Sequence, residues 1–197
     1  MARAGTQVVS WMVRRHHGRV TTTYTGADPE ALLAEDTSEA VTVRWHDVVT
    51  EADAALRMHV AAEVGVPPES VTVGRLCGRC GSAEHGRPWA SHGVHVSLAR
   101  SGPHLVTAVS TTGPVGVDVE CVEDVDRAWR DLSAAMDLGT PGLGTARTAL
   151  WCRIEAALKQ DGAGFAVPFD PQDVARRAVD AVVAPDGYCA AVAGDPS

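Results

Sequence analysis

The chain has 197 residues, a net charge of −8 and an apolar fraction of 45%. That length suits one domain, or two small subdomains that share a core. The negative balance argues against a general binder of nucleic acid or anionic membrane, which needs clustered positive charge, and no apolar run reaches the roughly 20 residues that span a bilayer.

Residues 1–40 combine a basic stretch, Val13 to Arg19, with an acidic, Ala-rich one from Asp28 to Glu39. Neither shows sustained apolar periodicity, so the expectation is a partly disordered N-terminal extension. Val41 to Trp45 alternates and predicts a strand. Thr50, with Asp53 three residues on, predicts the cap of a helix whose Leu56, Val60 and Val64 recur at four-residue steps. Gly65 and Pro67-Pro68 end it. Val71 to Leu76 predicts a strand, and Cys77 to His92 reads as a turn-rich segment. Val94–Ala99, His104–Ser110 and Val115–Glu120 predict three strands. Their short Gly-Pro connections imply an antiparallel meander. Residues 123–137 predict a helix carrying Val125, Trp129, Leu132 and Met136 on one face. Gly139 to Gly144 reads as a loop. Thr148 to Gln160 predicts a second long helix that Gly162 terminates. Val179–Val183 and Tyr188–Val192 flank Pro185-Asp186-Gly187 as a hairpin. The mixture lacks strict strand–helix alternation, so the expected class is α+β.

Three features carry candidate chemistry. In Gly116-Val117-Asp118-Val119-Glu120, alternation sets Asp118 and Glu120 on one strand face, with Gly116 leaving room beside them. Two such carboxylates suit a hard cation such as Mg²⁺, or form a solvated edge. On the second helix Trp151, Glu155 and Lys159 lie on one stripe. Glu155 could join the strand acids as a ligand or a general base, with Lys159 on an anionic leaving group. Alternatively, Glu155 and Lys159 form a surface ion pair. Arg87, in Gly86-Arg87-Pro88, and Arg100 offer guanidinium forks suited to phosphate, or are surface charges.

Taken in order, Gly86-Arg87-Pro88, Val96 to Ser101, GVDVE and WCRIEAALK resemble the 4′-phosphopantetheinyl transferases of the pseudo-dimeric type that activates peptide and polyketide synthetases. The match covers roughly residues 75–195. The resemblance implies two similar α+β halves with mostly antiparallel sheets, each packed on a long helix. The halves would be 41–110 and 111–197, the second carrying the metal site, with the seam near Ser110 to Pro114. It also implies transfer of the phosphopantetheine arm of coenzyme A to a serine of an acyl or peptidyl carrier protein, with release of 3′,5′-ADP. In that reading Asp118, Glu120 and Glu155 hold Mg²⁺, Glu155 accepts the serine proton, Lys159 stabilises the departing phosphate, and Arg87 and Arg100 bind the nucleotide phosphates. The family's Ser-His step is Ala99-Arg100 here, which keeps a cation, and its helix Lys is Ile154. The interval from Glu120 to Trp151 is short for the family, which implies a trimmed carrier-docking region. The alternative is a non-catalytic relative that binds coenzyme A or a synthetase partner. A monomer is expected.

Five cysteines and the absence of a secretory pattern point to free thiols in a reducing, cytoplasmic compartment. Cys77 and Cys80 are spaced as a zinc half-site, with His85 and His92 following, or as two reduced thiols, or as a redox pair. Trp45, Trp89 and Trp129 are expected to pack, and Cys121 and Cys152 to be small core side chains.

Overall fold

The computed structural model describes residues 8–15, 18–25, 41–47, 49–136, 144–162 and 177–194, with side chains excluded over 8–25 and 130–136. Its elements are β1 (Val8–Arg15), β2 (Gly18–Thr25), β3 (Val41–His46), α1 (Ala52–Val64), β4 (Val73–Leu76), β5 (Arg87–Ala90), β6 (His95–Ser101), β7 (His104–Ser110), β8 (Val115–Cys121), α2 (Val122–Met136), α3 (Thr145–Asp161), β9 (Val179–Val182) and β10 (Tyr188–Gly194), with a 3₁₀ turn at Pro68–Ser70. The class is α+β, as expected. The predicted loop at 139–144 falls, except for Gly144, outside the described residues, as do 1–7, 16–17 and 26–40.

Two main sheets form, with strand orders β1-β2-β3-β7-β6 and β8-β10-β9, beside the small β4-β5 pair. From β3 onward the first sheet runs first strand, last strand, middle strand, all antiparallel. The second sheet has the same order and the same antiparallel sense. Each follows its first strand with helix and closes with a hairpin.

Strand alternation then sorts the core. Val41, Val43, Trp45, Ala99, Val106 and Ala108 from the first sheet meet Val115, Val117, Val119, Val182, Ala190 and Val192 from the second. The opposite face of the first sheet packs Val96 and Val109 on Leu56 and Val60 of α1. The opposite face of the second packs Cys189, Ala191 and Ala193 on Ile154, Ala157 and Leu158 of α3. The layers are therefore helix, sheet, sheet, helix, and burial of apolar area on three planes drives their assembly. No helix among the described residues is long and apolar enough to cross a membrane.

Several expectations need correction. β8 does not extend the meander: β6 and β7 pair, but β8 pairs with β10. Both faces of β8 are covered, by the first sheet on one side and α3 on the other, so it belongs inside a second layered unit. Hydroxyls bridge it to β6 instead, with Ser97 Oγ accepting from Val117 N–H and Ser101 Oγ from Cys121 N–H, both at 3.1 Å. Thr50 is not the cap of α1. Glu51 is, its carboxylate accepting from the N–H groups of Asp53 and Ala54, which stabilises the positive end of the helix. Gly65 does end α1, in the left-handed region.

Residues 8–25 contain two paired strands, β1 and β2, with β2 running parallel to β3, where the sequence reading placed no element. Their signal is the β-branched run Val20-Thr21-Thr22-Thr23 rather than apolar alternation. Arg87–Ala90 is likewise a strand inside the segment read as turns. Trp45 and Trp129 are buried, but Trp89 is 44% exposed and is not a core group. Cys152 is fully buried and Cys121 only half-buried.

Candidate functional site

The site grows out of the contact between β8 and α3. Gly116 makes that contact possible. A Cβ there would lie 1.9 Å from the Ala156 carbonyl oxygen and 2.5 Å from Gln160 N, so α3 can sit against the strand only where the side chain is missing. The face that carries Gly116 also carries Asp118 and Glu120, and the helix brings Glu155 and Lys159 down onto them.

Asp118 is 2% exposed, which removes the solvated-edge reading. Lys159 Nζ donates to its Oδ1 at 2.6 Å. Its Oδ2 is buried without a geometrically sound hydrogen-bond partner, the Cys152 thiol being, among the described residues, the only other side chain besides Lys159 that bonds to the carboxylate, and weakly. Burial pushes the Asp118 carboxyl up to about 6, Lys159 opposes that shift, and the charge of Glu155 reinforces it. Glu120 is raised by burial and by the charge of Asp118. Glu155 is raised by burial and, against the pull of Lys159, by the charge of Glu120. Three carboxylates thus share one electrostatic environment with Lys159, and each resists ionisation chiefly because it is buried, with the neighbouring acids adding to that effect. The surface-pair reading of Glu155 and Lys159 gives way as well, since the ammonium reaches across to the buried strand acid.

The donor set fits a hard cation. It consists of carboxylate oxygens, one of them a buried orphan, whose mutual repulsion a divalent ion would relieve. Among the described residues the three acids do not bring their oxygens within 4.8 Å of one another.

Ser101 is a positioning group that the sequence reading did not single out. Its hydroxyl donates to Glu120 Oε2 at 3.2 Å while accepting from Cys121 N–H. The available signal was its spacing from Ser97, four residues along one strand face.

The two arginines are placed apart from the acids. Arg87 Nη2 donates to the Gln160 carbonyl at the end of α3. It borders a cavity of about 350 Å³ with Leu76, Gly78, Trp89, His95 and Gly162. It also borders a second cavity of about 530 Å³ with Gln160, Asp161 and Arg177. Arg100 donates to the Thr50 carbonyl at 2.9 Å, and alternation turns it toward the α1 side of β6, away from Glu120. Ile154 is buried in the core beneath α3, so its position offers neither a base nor a cation. Cys152 is buried beside Asp118, and burial pushes its thiol strongly up, which makes it a packing group rather than a ligand. No protein-family model matches the chain, and no curated protein matches it.

Proposed function

We propose that the chain transfers the 4′-phosphopantetheine arm of coenzyme A to a serine of an acyl or peptidyl carrier protein, releasing 3′,5′-ADP. The observation that carries this reading is that Asp118 and Glu120 from β8 and Glu155 and Lys159 from α3 share one partly buried interface, with Asp118 fully buried within it. The shared strand order of the two sheets supports reading residues 41–110 and 111–197 as two similar halves of a pseudo-dimer, with the acids in the second half.

A diphosphate is strongly anionic, and moving one of its phosphoryl groups requires charge neutralisation and alignment. Asp118, Glu120 and Glu155 would hold Mg²⁺, which when bound neutralises the diphosphate oxygens. Ser101 orients Glu120 for that role. Glu155, with its proton affinity raised by burial, is the acceptor for the serine proton. Lys159 is held by Asp118 in a fixed direction, and its ammonium stabilises charge on the leaving phosphate. Arg87, beside two cavities at the end of α3, supplies a cation for the nucleotide phosphates; Arg100, turned to the α1 side of β6, does not face the acids and takes no part in this reading.

The test is to incubate the chain with coenzyme A, Mg²⁺ and an apo carrier protein, and to weigh the carrier protein. A gain of one phosphopantetheine arm on the acceptor serine is expected. Coenzyme A binding with an unchanged carrier mass would favour a non-catalytic relative instead.

A further inference from the structure

The loop between β4 and β5 holds a second set of metal-ligating side chains that the proposed transfer does not use. The ligand atoms of Cys77, Cys80 and His85 all lie within 4.8 Å of one another. Cys80 Sγ is 3.5 Å from His85 Nε2. Zinc bonds of about 2.3 Å to sulfur and about 2.0 Å to nitrogen give tetrahedral edges of roughly 3.5–3.8 Å. The cysteine and histidine already stand one such edge apart.

The backbone explains the placement. Cys77-Gly78-Arg79-Cys80-Gly81 turns on itself, with Gly81 N–H donating to the Cys77 carbonyl at 2.8 Å and Cys77 N–H to the Ser82 carbonyl at 2.9 Å. Leu76 pairs with Arg87 where the loop closes. Just before that closure, Gly86 has a φ of 106° and presses so near Cys77 that a Cβ would lie 2.5 Å from its Cα. That approach folds His85 back onto Cys80. The N–H groups of Cys80 and Arg79 point at the Cys77 sulfur. His92, the other candidate ligand, is instead within 3.3 Å of the Ser70 carbonyl.

We propose that Cys77, Cys80 and His85 bind one zinc ion per chain, with water in the fourth position. Two soft sulfurs and an imidazole select zinc over Mg²⁺. The ion clamps the loop whose Leu76 and Gly78 form part of the wall of the 350 Å³ cavity beside Arg87.

The full chain, purified without chelator and under reducing conditions, tests this by elemental analysis. A Co²⁺ titration of the metal-stripped protein follows. The expected result is one zinc per chain, and one Co²⁺ whose spectrum shows sulfur-to-cobalt charge transfer. Cys80→Ser, at an exposed thiol, should abolish that band and the bound zinc while leaving the circular dichroism intact. Cys121→Ser should retain both. Folded protein without zinc and without the cobalt–sulfur band would overturn the proposal, as would a Cys77–Cys80 disulfide or full zinc content in Cys80→Ser. None of these readouts involves a carrier protein, so the zinc site and the transferase reading stand or fall separately.

Discussion

The two main sheets share an order over three strands, β3-β7-β6 and β8-β10-β9, but their interfaces with the helices treat buried polar groups in opposite ways. Under the first sheet, His59 of α1 is fully buried and fully partnered: its Nδ1 lies 2.7 Å from Thr107 Oγ1 and its Nε2 2.9 Å from Thr42 Oγ1. His46 shares the same Thr107 hydroxyl at 2.8 Å, and Arg44 and Glu63 close the edge of the network. Under the second sheet, Asp118 stands at the corresponding strand–helix interface with one oxygen orphaned and two other acids nearby. Satisfied burial specifies a structure. Unsatisfied burial costs stability and calls for something the chain does not supply. The contrast marks the first interface as scaffold and the second as the candidate site.

Substitutions can break this contrast, and the largest effects belong to the second half. Asp118→Ala should lower transfer by roughly 1,000-fold while the chain stays folded, because the substitution removes a buried charge and leaves a Lys159 that can reach water. Carrier-protein mass and circular dichroism read the two effects. Gly116→Ala should displace α3 and cost about 3 kcal/mol or more, seen as an early urea midpoint together with lost transfer. In the first half, Thr107→Val strands two imidazole nitrogens and should cost about 1–3 kcal/mol, with turnover per folded molecule unchanged.

The halves should also differ in pH dependence. Without divalent metal, native Asp118 keeps its proton to about pH 6, against an ordinary 3.8 for a carboxyl of its kind. The native state therefore binds more protons between those values, and this group's contribution falls as pH rises from about 4 to about 6. Burial lowers His46 to about 4 and holds His59 well below its ordinary 6.5. The unfolded state then binds more protons, so their contribution rises as pH rises toward 6.5. Asp118→Asn should remove the first contribution, of order 3 kcal/mol, and leave the second, which paired urea titrations across pH would show. The smallest effect is a control on the surface. Arg127→Ala breaks an exposed pair with Asp124 and should change stability by less than about 0.5 kcal/mol.

Much of the site was readable in the sequence, because strand alternation and helix spacing are local rules. They assign faces to Asp118, Glu120, Glu155 and Lys159 before any packing is known. Gly116 reads as leaving room beside the acids; that space is instead filled by the backbone of α3. What stayed hidden was non-local. The departure of β8 into a second sheet depends on α3 and β10, which lie far along the chain. The Glu51 cap won over Thr50 by a one-residue shift that spacing patterns do not resolve. Trp89 looked like core because its strand was not recognised. Ser101 gained its role from a partner strand that the sequence did not identify as its neighbour.

Binding of Mn²⁺, followed by electron paramagnetic resonance in the presence of coenzyme A, tests the central claim most directly. One Mn²⁺ site should appear in the native chain, be displaced by Mg²⁺ and be lost in both Asp118→Asn and Glu155→Gln. No such site, or one that persists in both variants, would contradict the assignment of these acids to a single cation.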